Sequence, residues 1–473
     1  MLTQSPISLT DTRYRLGYHV MAPSGWINDP NGFCYFKGYY HIFYQYYPYA
    51  AEWGPMHWGH ARSTDLVHWE TLPIALTPGD PEDAGGCFSG SAIVKNDKLY
   101  LIYTGQHYYD DDDPDHFWEN QNLAYSTDGI HFTKYELNPI IAQAPADNTQ
   151  HFRDPKVWAY DGNYYLALGS QAQDGLGRVI TYRSTDLLHW QYLGPITKAT
   201  NANQEGYMWE CPDFFYLNGQ HVLLTSPQGI VPTPKKYLNL HETGYFIGTY
   251  DYQTNQFQRD TFKELDHGHD FYATQTTLTP DGRRIVIGWL AMWESLMPEQ
   301  ADGWAGALTL PRELVLHGNH LGMRPIAETK QLRQEKLLDD KKTFQNQWLL
   351  STTERHLEFQ IELEDAQTDF TFKIASPNGD TFTKLAYLAD SHEFVLSRSD
   401  REDQRYATID QSEKVVLAIF IDQSSAEIFI NDGAATFSER FYMATAPTIS
   451  LETKSTLTAS VTTYKLAKDA IKF

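Results

Sequence analysis

Three acidic residues stand at matching places in a repeated sequence unit, eight or nine residues before a glycine-containing turn: Asp29 in WINDPNG, Asp154 in FRDP and Glu210 in WECPD. Aromatic, arginine and asparagine side chains beside them suit a site that stacks on a sugar and hydrogen-bonds its hydroxyl groups. Two carboxyl groups can cleave a glycosidic bond there, one ionised as the nucleophile and one protonated as the acid. The acid needs a raised pKa, which nearby negative charge and burial against Trp209 are expected to supply. The third carboxylate can stabilise positive charge in the transition state.

The unit that carries these residues occurs five times as a strand, a turn and a strongly apolar strand: FCYFKGYYHIFYQ, AIVKNDKLYLIYTG, VWAYDGNYYLALGS, FFYLNGQHVLLTSP and TTLTPDGRRIVIGWL. The turns centre on residues 38, 97, 162, 219 and 282, at intervals of 59, 65, 57 and 63 residues. A second element also repeats, as RSTDLVHWE, YSTDGIHFT and RSTDLLHWQ. Similar β-units at a steady spacing predict a propeller, with a long meander or a sandwich as the alternative. We therefore expect an all-β fold with a five-bladed β-propeller of four-stranded blades over residues 1–325, as the catalytic domain.

The chain changes character after residue 325, because every tryptophan except Trp348 lies at or before Trp304. Residues 326–336 (IAETKQLRQEK) are mostly good helix formers, so a linker helix is expected over residues 326–340. The segments that follow, such as HLEFQIEL, FTFKIAS and AEIFINDG, alternate apolar and polar residues. This pattern predicts an antiparallel β-sandwich over residues 341–473, with a structural or interaction role.

Charge and cysteine content restrict the classes of partner. Lys and Arg number 37 against 60 Asp and Glu, a formal charge of −23, which argues against nucleic acid and anionic membrane surfaces. A small neutral substrate is expected, and the oligomeric state is left open. Three cysteines without a C-x-x-C pair do not make a disulfide framework, and the first residues show no signal-peptide pattern. These features favour a reducing, cytoplasmic setting.

At these motifs the chain resembles the invertases, or β-fructofuranosidases, of glycoside hydrolase family 32. The blocks WINDPNG, FSGSA, RDP and the pair Glu210–Cys211 appear in order, and the likeness runs over nearly the whole chain. The resemblance implies a five-bladed propeller with a C-terminal sandwich and a retaining mechanism. It implies Asp29 as the nucleophile, Glu210 as the acid/base, and Asp154 as the residue that holds fructose hydroxyl groups in the transition state.

The same resemblance implies a set of substrate-binding residues: Asn28, Gln45, Trp53, Phe88, Ser89, Arg153 and one tryptophan of GWLAMW, for which Trp293 is preferred to Trp289. Cys211 either tunes Glu210 or is a small buried residue, and both interpretations stay open. No Gly-rich phosphate loop precedes a helix, so no cofactor is predicted. No metal is predicted either, because the acidic residues 110–113 and 115 lack the spacing of a calcium loop.

The expected function is release of terminal non-reducing β-D-fructofuranosyl residues from sucrose and short fructo-oligosaccharides. A fructosyltransferase using the same covalent intermediate, a glycosidase acting on arabinan or xylan, and a sugar-binding propeller without activity are alternatives. A sucrose-6-phosphate hydrolase is a further one, but residues 106–121 (QHYYDDDDPDHFWENQ) carry five Asp, one Glu and no Lys or Arg. Such a loop at the pocket rim would repel a phosphate, so unphosphorylated sugar is expected to react at least as efficiently.

Overall fold

The computed structural model describes residues 4–111, 113–351 and 353–473. Within these ranges the chain is almost entirely β-structure, and the all-β class is confirmed. Helices are short: α1 (Ala202–Glu205) and the 3-10 helices Pro298–Asp302, Ala327–Leu332 and Ala389–Ser391. None of the helices in the described ranges is long and apolar enough to cross a membrane.

The first part of the chain forms strands in five groups. The first two groups are β1 (Gly25–Phe36), β2 (Tyr39–Tyr47), β3 (His57–Ser63) and β4 (Trp69–Leu76), then β5 (Gly86–Lys95), β6 (Lys98–Tyr108), β7 (Phe117–Ser126) and β8 (Thr133–Lys134). The third is β9 (Asn148–Tyr160), β10 (Asn163–Ala172), β11 (Gly177–Ser184) and β12 (Gln191–Lys198). The fourth is β13 (Met208–Leu217), β14 (Gln220–Gln228), β15 (Gly244–Asp251), β16 (Gln256–Arg259) and β17 (Lys263–Glu264). The fifth is β18 (Tyr272–Leu278), β19 (Arg284–Trp289), β20 (Trp304–Ala305), β21 (Arg312–His317) and β22 (His320–Pro325).

Eleven more strands follow: β23 (Arg333–Ser351), β24 (Leu357–Leu363), β25 (Phe370–Ala375), β26 (Phe382–Leu388), β27 (Glu393–Arg398), β28 (Gln404–Thr408), β29 (Val415–Asp422), β30 (Ser425–Ile430), β31 (Ala435–Arg440), β32 (Thr448–Leu466) and β33 (Ile471–Lys472).

The prediction of a five-bladed propeller built from equivalent four-stranded blades is wrong. Four antiparallel blades are made of strands close together in sequence: β5–β8, β9–β12, β13–β17, and β18, β19, β21 and β22. The sheet that contains β1 differs, because it has six strands in the order β20-β1-β2-β3-β4-β33 and is parallel at both ends. The repeat in the sequence reports only neighbouring hairpins. It cannot reveal β20 and β33, which pair with partners far away in the chain.

The second repeated element closes the same kind of turn in three sheets. Ser63, Ser126 and Ser184 each donate a hydrogen bond from the hydroxyl group to an aspartate two residues later, at 2.9–3.0 Å. Each of these serines also accepts a backbone N–H from three residues ahead. The motif therefore forms a side-chain-capped turn that joins the third and fourth strands of its sheet.

The expected linker helix over residues 326–340 is also wrong in most of its length. A 3-10 helix covers Ala327–Leu332, and from Arg333 the chain is the strand β23. The good helix formers there are overridden because β23 pairs along its whole length with β32. Backbone hydrogen bonds along this 19-residue strand, although interrupted by register shifts, outweigh a difference in intrinsic preference of a few tenths of a kcal/mol per residue.

The C-terminal domain is sandwich-like but forms one connected ten-stranded sheet. The long strand β32 pairs with β25 near its start and with β24 near its end, so it belongs to both halves. Side chains from the two halves share one apolar core, which includes Phe359, Phe372, Ile419 and Leu451.

Buried ion pairs connect the two domains. Arg312 of β21 contacts Asp266 at 2.9 Å and Glu427 of β30 at 2.5 Å, and all three side chains are fully buried. His19 lies between Asp422 at 2.7 Å and Glu427 at 2.6 Å. Paired charges of this kind fix one docking arrangement, because separating them leaves uncompensated charge in the interior.

Candidate active site

The inner strand of each of the five groups is its first strand, β1, β5, β9, β13 or β18, and each has a break in its regular pairing. These breaks lie between Ile27 and Pro30, Cys87 and Gly90, Arg153 and Lys156, Glu210 and Asp213, and Tyr272 and Thr274, and both β1 and β9 have one more. A bulge redirects a side chain away from the pleat of its sheet. Three residues at these places, Asp154, Cys211 and Ala273, have positive φ angles of 63°, 48° and 45°. Backbone strain of this kind is concentrated at functional sites.

Asp29 is held by residues from three inner strands. Its Oδ1 accepts a hydrogen bond from Asn28 Nδ2 at 3.0 Å, and its Oδ2 accepts one from Ser89 Oγ at 2.7 Å. The thiol of Cys211 also lies 3.6 Å from Oδ2. The predicted residues Asn28 and Ser89 are therefore placed directly on the carboxylate of Asp29.

Asp154 meets the same cysteine from the other side. The backbone N–H of Cys211 donates to Asp154 Oδ2 at 2.8 Å, and the backbone N–H of Asp154 donates to Thr104 Oγ1 at 3.1 Å. Cys211 therefore bridges two carboxylates, Asp29 by its thiol and Asp154 by its backbone. This contact makes Cys211 more than a small buried residue, although its thiol faces Asp29 and not the carboxylate of Glu210.

Glu210 has two different partners for its two oxygens. Oε1 accepts hydrogen bonds from Arg153 Nε at 2.9 Å and Nη2 at 2.8 Å, and Oε2 accepts one from the hydroxyl group of Tyr272 at 2.5 Å. Asp29, Ser89, Arg153, Glu210 and Tyr272 come from five different strands, so these contacts draw all five inner strands around one space.

The charge distribution differs from the expected one. Burial and the charge of Glu210 raise the pKa of Asp154 to about 8, and the same two causes raise the pKa of Asp29. Burial also pushes the pKa of Glu210 upward, but the charge of Arg153 and the Tyr272 hydrogen bond outweigh it and lower that pKa. The expectation that Glu210 has the raised pKa in this arrangement is wrong, because sequence alone did not show that Arg153 pairs with it.

Aromatic side chains line one side of the site. Trp26 stacks on Trp293 with ring centroids 5.9 Å apart and donates from Nε1 to Asn28 Oδ1 at 2.9 Å. Trp293 is half-buried, whereas Trp289 is fully buried behind it, which supports the preference for Trp293. Trp53 is 44% exposed, and its ring meets Phe88 edge-on at 6.0 Å.

Gln45 is buried on β2, and its amide donates to the backbone carbonyl of Cys87 at 3.1 Å. Because Cys87 precedes Phe88 and Ser89, this bond places Gln45 beside the bulge of β5. Three of the seven predicted binding residues, Asn28, Ser89 and Arg153, contact the carboxylates directly. The other four are connected to these residues through a neighbour in the chain, a hydrogen bond or a ring contact: Gln45, Trp53, Phe88 and Trp293. Trp53 is the outermost of them, and its aromatic contact is with Phe88.

Three residues that contact Glu210 or Arg153 were not identified from sequence: Tyr272, Glu119 and His151. Tyr272 lies in the block DFYATQ, which stands before the fifth turn as the carboxylates stand before theirs, so the repeat held a signal for it. Glu119 and His151 contact Arg153 Nη1 at 3.4 Å and 3.0 Å. Glu119 comes from β7, the third strand of its sheet, whereas the repeat positions lie on the inner strands, so no repeat position pointed to it.

A metal site needs several ligating side chains gathered in one place. Within residues 4–111, 113–351 and 353–473, no group of three His, Cys, Asp or Glu side chains is arranged to hold a metal ion.

Carboxyl groups gathered at one end of a propeller channel, with an aromatic wall beside them, define a glycosidase-type site. Comparison with known proteins agrees: the profile of the glycosyl hydrolases family 32 N-terminal domain matches residues 19–325, and that of the family 32 C-terminal domain matches residues 327–468. The chain belongs to glycosyl hydrolase family 32 and is a glycosidase. The resemblance seen in its sequence motifs is confirmed.

Individual relatives cover most of the chain. A sucrose-6-phosphate hydrolase of Zymomonas mobilis is 41% identical over 92% of this chain and 88% of its own length. A raffinose invertase of Escherichia coli is 39% identical over 90% of this chain and 89% of its own length. The solved structure of a Bombyx mori β-fructofuranosidase variant in complex with sucrose has a TM-score of 0.89 and 38% identity, covering 98% of this chain and 96% of that one.

Proposed function

We propose that the chain is a retaining β-fructofuranosidase that releases terminal β-D-fructofuranosyl units from sucrose and short fructo-oligosaccharides. The observation that supports this proposal best is that Cys211, the neighbour of Glu210 in the chain, contacts both Asp29 and Asp154. The three carboxyl groups are therefore gathered at one place. Hydrolysis through a covalent intermediate needs a nucleophilic carboxylate and an acid/base on opposite sides of the bond that breaks. The sucrose complex of the Bombyx mori relative supports a small sugar as the ligand.

Each carboxyl group takes a separate role in this proposal. Asp29 attacks the anomeric carbon of the fructosyl unit, and the hydrogen bonds from Asn28 and Ser89 stabilise its ionised form. Glu210 donates a proton to the departing oxygen and later accepts one from the attacking water. The charge of Glu210 helps to raise the pKa of Asp154, so Asp154 loses its proton as Glu210 gains one. The ionised Asp154 then accepts hydrogen bonds from fructose hydroxyl groups and stabilises the positive charge that develops in the ring.

Substrate binding has to change the charge of Glu210, because an ionised carboxylate cannot act as an acid. Arg153 is proposed to hydrogen-bond sugar hydroxyl groups as well as Glu210. When the sugar excludes water and draws Arg153 away, burial dominates and the pKa of Glu210 rises. Arg153 thus couples the presence of substrate to the protonation of the acid.

The sugar itself is proposed to lie between the aromatic wall and the polar residues. Trp293 and Phe88 offer apolar faces to the sugar carbons, and the partly exposed Trp53 contacts the unit that leaves. Gln45 and Arg153 are proposed to bind hydroxyl groups.

Unphosphorylated sugar is proposed as the preferred substrate. The acidic loop after β6 leads into Phe117, whose ring meets that of His151 edge-on at 5.3 Å, and His151 contacts Arg153. Gln150, next to His151, also donates to the carbonyl of Asp115 at 3.4 Å. Of the acidic run, Asp112 lies outside the described residues. The negative charges of the aspartates in this loop repel a phosphate group and so weaken the binding of a phosphorylated sugar. Sucrose 6-phosphate remains the second candidate because several relatives are named as its hydrolases.

Product analysis with sucrose, sucrose 6-phosphate, 1-kestose and inulin tests the proposal. Release of fructose from sucrose supports it, and absence of fructose with every substrate contradicts it. Transfer products longer than the substrate would instead indicate a fructosyltransferase.

We also propose a reducing, cytoplasmic setting, supported by Cys34, Cys87 and Cys211, which are all buried free thiols.

A further inference from the structure

Arg153 contacts two carboxylates through different nitrogens. Nε and Nη2 face Glu210, whereas Nη1 lies 3.4 Å from Glu119 Oε1 and 3.0 Å from His151 Nδ1. Glu119 is only 3% exposed, and its second oxygen accepts the backbone N–H of Phe152 at 2.5 Å. Glu119 is therefore fixed on the side of Arg153 that points away from Glu210.

We propose that Glu119 is a positioning residue that holds the Arg153 guanidinium during the time that Glu210 carries the catalytic proton. This inference rests on the function proposed above, and it adds a residue that touches neither the substrate nor the reacting atoms. Nη1 stays anchored by Glu119 and His151 when Nε and Nη2 release Glu210. Without that anchor, a buried guanidinium would have Glu210 as its main anionic partner.

The protonation states of His151 and Glu119 are consistent with Nη1 remaining in place while Nε and Nη2 release Glu210. Burial and the charge of Arg153 lower the pKa of His151 to about 3, so its ring is neutral and Nδ1 can accept from Nη1. Burial raises the pKa of Glu119 to about 7, against the opposing effect of Arg153. The charge of Glu119 therefore depends on how closely Arg153 approaches it.

Other titratable groups also face these side chains from neighbouring elements. Each of these groups interacts electrostatically or by a hydrogen bond with Glu119, Arg153 or Glu210. They are Asp29 of β1, Tyr108 of β6, His151 and Asp154 of β9, Cys211 of β13, Tyr272 of β18, and Tyr207 and His241 from loops. Among them, Glu119 and Glu210 are the carboxylates that Arg153 contacts within 4 Å. Removing the charge of Glu119 therefore leaves Glu210 as the one charged carboxylate among them within 4 Å of Arg153, and the pairing of Arg153 with Glu210 becomes closer.

The test is the variant Glu119→Gln, which keeps the size of the side chain and an oxygen for the Phe152 N–H. Two effects act in the same direction: a negative charge near Glu210 is lost, and Arg153 pairs with Glu210 alone. Both lower the pKa of Glu210, so the basic limb of the kcat/KM profile for sucrose moves down by roughly one pH unit. Glu119→Asp, which retains the charge, is expected to restore most of the wild-type profile. Glu136→Gln, at an exposed loop position, is the matched control.

A second substrate separates acid catalysis from a general structural defect. Fluoride leaves β-D-fructofuranosyl fluoride without needing a proton from Glu210, so Glu119→Gln should hydrolyse it within about twofold of wild type. An unmoved basic limb, or an equal loss on sucrose and on the fluoride, overturns the inference while leaving the proposed function in place. If the wild-type protein releases fructose from neither substrate, both proposals fail.

Discussion

Arg153 donates two hydrogen bonds to one oxygen of Glu210, at 2.9 Å and 2.8 Å, although the two residues are 57 positions apart in the chain. Bonds from a charged donor to a charged acceptor are about twice as strong as neutral ones. The residue proposed as the acid is therefore held in its ionised form. A substrate has to weaken this pair before Glu210 can donate a proton, so the pair is where binding and catalysis are coupled.

Replacement of either proposed catalytic residue should remove activity without unfolding the protein. Asp29→Ala and Glu210→Ala are each expected to lower kcat for sucrose by about 10⁴-fold or more, because no other group makes the covalent bond or moves the proton. With the fluoride substrate, Glu210→Ala should accumulate a fructosyl-enzyme visible by mass spectrometry. Glu335→Ala, on the exposed face of β23, serves as the control with unchanged rate. Normal turnover in either site variant would disprove the assignment.

The geometry of the two carboxyl groups should match a retaining mechanism. We expect the carboxyl groups of Asp29 and Glu210 to be about 5–5.5 Å apart in a crystal structure with bound sugar, since this distance leaves no room for a water between nucleophile and anomeric carbon. NMR of the first-formed fructose should show the β anomer. A separation of roughly 8 Å or more, or an inverted product, would contradict nucleophilic attack by Asp29.

Tyr272→Phe should change the pH profile in the direction opposite to Glu119→Gln. The Tyr272 hydroxyl group donates to Glu210 Oε2 and lowers the pKa of Glu210. Its removal raises that pKa, so the basic limb of kcat/KM is expected to move up by about one pH unit, given that a hydrogen bond to a charged group contributes about 1.5–3 kcal/mol. The measurement is kcat/KM for sucrose from pH 4 to pH 9, with Tyr216→Phe at an exposed position as the control. A shift toward lower pH would show that this hydrogen bond does not control Glu210.

Sucrose should be hydrolysed at least as efficiently as sucrose 6-phosphate. Aspartates at the rim repel a phosphate by an amount on the order of 1 kcal/mol each at partly exposed positions, and salt screens this repulsion. The measurement is kcat/KM for the two sugars at low and high ionic strength. The value for sucrose should stay nearly constant, whereas the value for sucrose 6-phosphate should rise with salt. A large preference for the phosphorylated sugar at low salt would mean that the loop does not act on the substrate in this way.

His19 should make the folded protein sensitive to alkaline pH. Burial alone would lower the pKa of His19, but the hydrogen bonds that its ring donates to Asp422 and Glu427, together with the charges of these two carboxylates, outweigh burial and raise that pKa to about 9. A group with a raised pKa in the folded state contributes its stabilisation below its ordinary pKa of 6.5 and loses it as pH rises through about 9. Tm measured by circular dichroism is therefore expected to fall between pH 6.5 and 9 in the wild-type protein.

The variant His19→Gln tests the cause of that fall. Breaking a buried pair costs about 3–5 kcal/mol, so its Tm at pH 6.5 should be well below wild type. Across the same pH window its Tm should change less than that of the wild-type protein, because the group that titrates is gone. Parallel curves for the two proteins would show that another group causes the pH dependence.

Sequence was sufficient for features that depend on neighbouring residues. Turn residues and alternating apolar positions identify hairpins, so the repeat placed Asp29, Asp154 and Glu210 at corresponding points of three sheets, the first, third and fourth along the chain. The motif blocks also pointed to the family and to Asn28 and Ser89, which lie next to Asp29 or at the matching position of the next sheet. These local patterns survive folding because each one describes a unit that forms within about 60 residues.

Tertiary structure alone decided what depends on distant pairing. Strand β33 joins β4 from the far end of the chain, and β23 forms where helix formers suggested a helix, since backbone pairing with a remote strand outweighs local preference. Contacts between residues far apart in the chain also decide the protonation state of Glu210. Glu210 is ionised because bulged strands bring Arg153 and Tyr272 to it from 57 and 62 residues away, and a pKa responds to charges in space, not to spacing along the chain.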